Sequence, residues 1–151
     1  MGIRQFVQIS DLNNGLRVAS EKMSGAASVS VGIWLPRGSR YEPAEVNGLC
    51  HFYEHMVFKG TGKRSALQIA REIEDRGGHL NAFTTKEHTC FYARVVREDL
   101  DLALDVLSDL VMTPTLDAKE FEKERKVIIE EIRSYDDMPD EIGRASCRER
   151  V

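Results

Sequence analysis

Apolar and small or polar residues alternate most clearly over residues 27–35, where Val29, Val31 and Ile33 stand between Ser28, Ser30 and Gly32. That period of two predicts a strand with one buried face. Residues 5–9 and 16–20 alternate more weakly on either side of Asn14-Gly15, a strong tight-turn signal, and predict a hairpin. Residues 79–84 and 88–95 predict two further strands joined by a short polar turn. Between them the period lengthens. A helix is expected from about residue 44 to 58, stopped by Lys59-Gly60-Thr61-Gly62. A second runs from an N-cap at Ser65 to about Arg76, closed by Gly77-Gly78. Leu100, Leu104, Leu107 and Val111 mark a third over residues 98–111, and a fourth covers about 117–135, beyond the break at Pro114. The order of three strands, two helices, two strands and two helices predicts an α+β fold, with a mostly antiparallel sheet and helices packed on one face.

Composition narrows this picture. The chain has 151 residues, 42% of them hydrophobic and 30% charged, which suits a folded domain with a real core. No apolar run approaches the ~18 residues of a membrane span, so no membrane partner is expected. The formal net charge of −4 gives no reason to expect nucleic acid. Met1-Gly2-Ile3-Arg4-Gln5 lacks the apolar stretch of a secretory leader, and Cys50, Cys90 and Cys147 form no paired motif. A reducing cytoplasm is the expected location. Cys50, although next to His51, reads as a small packing residue rather than a thiolate ligand.

The chemistry concentrates in Cys50-His51-Phe52-Tyr53-Glu54-His55. On a helix, His55 lies only about 40° around from His51, and Glu54 about 60° to the other side of His51. Two imidazoles can thus reach one metal ion while a carboxylate reaches a water beside it. Leu49, Phe52, Tyr53 and Met56 cluster on the opposite arc, where they are expected to pack on the sheet. A catalytic zinc ion takes three protein ligands and leaves one position open for water. A nearby carboxylate then takes the proton of that water as it attacks a carbonyl.

The last helix offers a third ligand. With Phe121 at zero, Ile128 falls near about −20° and Ile132 near about +20°, an expected buried stripe. Glu131 falls near about −80° and Glu124 near about −60°, inside or beside that stripe, while Glu130 points away. A carboxylate facing a core is costly unless paired or metal-bound. Glu131 is therefore the expected ligand, and Glu124 a supporting group that bonds a ligand or the water. The bland alternative is that both pair with arginines such as Arg71 or Arg125.

These residues resemble a known family. His51-x-x-Glu54-His55 is an inverted zinc motif, and Glu131 follows His55 by 76 positions, as the family's third ligand does. With Asn14-Gly15-Leu16-Arg17-Val18, residues 32–40, Asn47-Gly48-Leu49, Phe58-Lys59-Gly60-Thr61, Asn81-Ala82-Phe83-Thr84 and residues 124–132, the match runs in order over about residues 12 to 139. The sequence resembles the N-terminal catalytic domain of the pitrilysin/insulinase-type zinc metallopeptidases (inverzincins), in the manner of bacterial relatives of the mitochondrial processing peptidase β-subunit. It departs from them mildly at Cys50 and Tyr53. The resemblance implies that His51, His55 and Glu131 hold one zinc ion. It makes Glu54 the general base and Glu124 a support for the site. It also implies that Asn81, Ala82, Phe83 and Thr84 form an edge strand, onto which an extended peptide or an unfolded protein adds.

Family members continue into a second, similar domain or work with a partner subunit. Residues 1–141 are accordingly expected to be the first part of a metallopeptidase domain, incomplete as it stands. Residues 142–151 lack apolar periodicity, and their reverse translation resembles a short-read sequencing adapter, so a non-native tail is expected there. The expected function is a zinc metalloendopeptidase, with the 151-residue fragment itself inactive. The rival within the family is a non-catalytic peptide-binding or scaffold subunit. Such relatives lose a ligand or the base, whereas all four positions are present here. A third reading is an unrelated α+β binding domain with a fortuitous histidine pair. The inward Glu131 and the ordered matches speak against it.

Overall fold

The computed structural model of the protein describes residues 7–136. Strand β1 (Val7–Asp11) pairs antiparallel with β2 (Arg17–Glu21). The connecting turn closes through Gly15 N–H donating to Leu12 O at 2.9 Å, with Gly15 at φ +85°, a conformation glycine adopts without strain. Strand β3 (Ser28–Leu35), β4 (His79–Thr84) and β5 (Thr89–Val96) form a second antiparallel sheet in the order β3-β5-β4. Four helices complete the chain: α1 (Leu49–Val57), α2 (Ala66–Glu74), α3 (Leu100–Met112) and α4 (Ala118–Asp136).

The α+β class and the helices on one sheet face are as expected, but the five strands divide into two sheets. Every residue of β1 and β2 is exposed, including Val7 and Ile9. In the three-stranded sheet, by contrast, period-two alternation sends Val29, Val31, Ile33, Leu80, Phe91, Ala93 and Val95 to one face. There they meet Val57 of α1, Ile69 and Ile73 of α2, and Ala103, Val106, Leu107 and Leu110 of α3.

Helix α1 starts later than its periodicity predicts. Residues 44–46 form a short 3-10 turn, and Gly48 at φ +94° breaks the path before Leu49. Only glycine takes that value readily, so Asn47-Gly48 sets the helix start. The packing arc also differs. Met56 and Val57 are fully buried, but Leu49 is exposed, and Phe52 stacks on Phe121 of α4, not on the sheet, with ring centroids 4.4 Å apart. Helix α4 packs chiefly on α1, so of its expected stripe only Ile128 is buried, and Phe121 and Ile132 remain largely exposed. Residues 5–6 and the tail at 142–151 lie outside the described residues.

Candidate metal centre

Helix α1 supplies three of the site residues, and its start is held by a residue well upstream. Glu42 accepts from the amides of Gly48 and Cys50 at 2.6 Å each, answering donors that open the helix. Burial works to raise the Glu42 carboxyl, but the two amides prevail and hold it below the usual carboxylate range. The loop carrying Glu42 is itself tied to the β4–β5 turn, through Ser39 N–H to Thr85 O at 3.2 Å and Arg40 N–H to Lys86 O at 2.9 Å. At the other end of the first turns, the Tyr53 hydroxyl donates to Val111 O at 3.3 Å. The histidine-bearing helix is thus fixed to the sheet turn and to α3.

His51 and His55 project from one face of α1, with their Nε2 atoms 3.2 Å apart. Glu131 comes down on them from α4. Its Oε1 lies 3.8 Å from His51 Nε2 and its Oε2 3.6 Å from His55 Nε2. All three offer an atom within 4.8 Å of the others. Ligand atoms about 2.0–2.1 Å from a tetrahedral zinc ion stand about 3.3 Å apart, so this spacing fits zinc with little adjustment. The donor set, two imidazoles and one carboxylate, is also the chemistry zinc takes in catalytic sites.

Glu124 fixes which nitrogen of His55 is free. Its Oε1 lies 2.9 Å from His55 Nδ1, and its Oε2 2.6 Å from Lys59 Nζ. Glu124 is only 6% exposed. Burial works against its charge, yet the Lys59 ammonium and His55 outweigh it and hold the carboxyl below its usual range. An ionised carboxylate can only accept, so Nδ1 carries the proton and Nε2 presents its lone pair toward His51 and Glu131. Among the described residues the alternative arginine pairings are not formed: Glu124 meets His55 and Lys59, Glu131 meets the two histidines, and Arg125 pairs with Glu122 at 3.3 Å.

Glu54 lies beside the two histidines on α1, and its Oε2 accepts from the Thr84 hydroxyl at 2.5 Å. Thr84 ends β4, which is an edge strand among the described residues. Asn81 is exposed on that strand, and its Oδ1 accepts from the Ala82 amide at 2.8 Å. Ala82 points into the core, and Phe83 points outward, edge-on to Trp34 at 5.7 Å. The four strand residues are therefore not equivalent: among the described residues, Thr84 is the one of them that hydrogen-bonds a member of the α1 group. Cys50 stays outside the ligand cluster, its thiol pushed up to about 11 by burial first and the nearby Glu42 carboxylate second.

Two contributors carried no strong sequence signal. Lys59 lies two residues beyond the end of α1, in the turn that stops the helix, so helical spacing does not place it on Glu124. Glu42 precedes the N-cap Gly48 by six residues, beyond the usual capping position, and only the loop path shows what it caps.

The sequence profile of the insulinase family, peptidase family M16, matches residues 17–149. An uncharacterized zinc protease of Bacillus subtilis, YmxG, is 48% identical over 129 residues, covering 85% of this chain and 32% of that protein. The mitochondrial-processing peptidase subunit beta of Rattus norvegicus is likewise 48% identical over 129 residues, covering 85% of this chain and 26% of the relative. The chain thus spans about a quarter to a third of the length of the curated relatives it matches. A crystal structure of a protease from Helicobacter pylori superposes with a TM-score of 0.86 at 28% identity, over 91% of this chain and 34% of that one. With the profile match spanning most of the chain and the fold shared with a solved protease, this chain belongs to the insulinase family of peptidases.

Proposed function

We propose that these residues form the zinc centre of a metalloendopeptidase. The observation that carries the reading is the convergence of His51, His55 and Glu131 within 4.8 Å, with the Glu54 carboxylate on the helix of the two histidines. When bound there, zinc would acidify a water and polarise the peptide carbonyl. His51, His55 and Glu131 hold the ion, and Glu124, braced by Lys59, orients His55. Glu54 takes the proton of the attacking water and returns it to the leaving amine. An extended peptide adds along β4, where it displaces the Asn81 side chain from the Ala82 amide. Because Thr84 at the end of β4 touches Glu54, a peptide on that edge is carried to the base.

The reading extends to partners. A further domain of the same family, or a partner subunit, closes over the peptide, and the 151-residue chain alone binds zinc without hydrolysing peptides. We place the protein in the cytoplasm. No helix among the described residues is long and apolar enough to cross a membrane. The test is metal content and peptide hydrolysis of wild type and Glu54→Gln in the full-length parent protein. Retained zinc with hydrolysis lowered at least about a hundredfold is expected from loss of the base. Unchanged hydrolysis would refute the assignment. Zinc without hydrolysis in the wild type would instead favour a non-catalytic subunit.

A further inference from the structure

We propose that Thr84 is a positioning residue for Glu54: its hydroxyl commits one carboxylate oxygen to the end of β4 and leaves the other to face the water of the metal centre. This rests on the reading of Glu54 as the general base. The Thr84 side chain turns inward, half-buried, and its hydroxyl donates to Glu54 Oε2 at 2.5 Å. A hydroxyl has a single proton to give. The neighbour across the ladder, Thr89, has its Oγ1 3.4 Å away and sends its own proton to Arg37 O at 3.1 Å. Thr89 can then only accept from Thr84, and at 3.4 Å it is a far weaker acceptor than the Glu54 carboxylate at 2.5 Å, which takes the Thr84 proton.

The two partners differ in stiffness. Thr84 is β-branched, with a restricted first torsion, and sits in a strand paired to β5 over its whole length. Thr89 behind it is buried. Glu54 is a half-buried glutamate with three rotatable bonds, and among the described residues it has no lysine or arginine within ion-pair distance. Left alone, such a side chain samples several conformers, and only some aim an oxygen at the attacking water. The Thr84 bond selects among them.

The test uses zinc-loaded full-length protein and the substitutions Thr84→Val, Thr84→Ala, Thr84→Ser and Glu54→Gln. Thr84→Val keeps shape and strand preference and removes only the donor. Zinc affinity should stay within about threefold of wild type, since no ligand is touched. The kcat should fall about ten- to a hundredfold with KM nearly unchanged, the signature of a misaligned base. Thr84→Ala should behave alike, and Thr84→Ser should restore kcat to within about threefold, because serine keeps the donor. Crystals of zinc-loaded Thr84→Val should show the Glu54 carboxylate in more than one conformer, against one in wild type. A kcat unchanged in both Val and Ala variants, a raised KM with kcat kept, or a Ser variant as slow as Val would overturn the proposal. Wild-type hydrolysis by Glu54→Gln would remove the base reading itself, and the positioning role with it, whatever the Thr84 variants do.

Discussion

Two clusters of charged side chains sit on the helical side of this fold, and they are built differently. Around Arg64 the protein supplies its own countercharge. The guanidinium donates to Glu72 and Asp109 at 2.9 Å each and to Asp105, with Lys63 beyond Asp105 at 3.7 Å. Asp109, only 4% exposed, also accepts from the hydroxyls of Thr61 and Thr113 at 2.6 Å each. Around His51 and His55 the arrangement is open. Glu124 is balanced by Lys59, but among the described residues no lysine or arginine reaches Glu54 or Glu131. Those two carboxylates are left without a cationic side chain, a place a divalent cation would take. In the structural network every carboxylate meets a cation of the protein, whereas a metal-binding arrangement presents convergent donors and carboxylates without one.

The sharpest way to break this contrast is to remove Arg64. Arg64→Met leaves Asp109 buried without its cation, and should destabilise the fold by about 3–5 kcal/mol in denaturant unfolding. Zinc stoichiometry in whatever remains folded should not change. The same cluster predicts an acid limb. Burial works against the Asp109 charge, but the Thr113 and Thr61 hydroxyls and Arg64 together bring its carboxyl down to about 2. A carboxyl depressed in the folded state stabilises fully above the ordinary carboxylate range and loses that contribution as pH falls through its folded value. Urea midpoints between pH 5 and about pH 2 should therefore fall, with less of the fall in Arg64→Met.

The proposed metal centre should respond in the opposite sense. Glu131→Gln should lower zinc affinity at least about a hundredfold, measured by chelator competition, while costing the metal-free chain under about 1 kcal/mol, because Glu131 is partly exposed and has no cationic partner to strand. A smaller effect is expected from Lys59→Met, which strands Glu124 and loosens its hold on His55. Zinc affinity should drop about tenfold, and Lys59→Arg should recover most of it. Smallest is Glu42→Gln, where a single carbonyl oxygen replaces two acceptors at the start of α1. A loss of about 1 kcal/mol in thermal unfolding is expected, with zinc still bound.

The same contrast separates what the sequence made legible from what it did not. His51, Glu54 and His55 are four positions or fewer apart, so helical geometry alone orders them on one face. Glu131 was placed by its angle to Ile128, which stays buried although Phe121 and Ile132 do not. The capping box of Ser65 and Gln68 is likewise local, and α2 begins where it predicts. Lys59 on Glu124, Glu42 on the Gly48 amide and Thr84 on Glu54 depend on loop paths and strand register, which no periodicity encodes. The division of the strands into two sheets was hidden for a related reason. Alternation marks a face, but not which neighbour the strand pairs with.

The central claim is that His51, His55 and Glu131 await a single ion, and one titration tests it most directly. Zinc added to the 151-residue chain should bind one ion per chain and raise its unfolding temperature with increasing free zinc, as binding to the folded state requires. His55→Ala, folded to the same circular-dichroism spectrum, should show neither. A wild-type chain that folds but takes up no zinc, or a His55→Ala chain that binds zinc as tightly as wild type, would contradict the account.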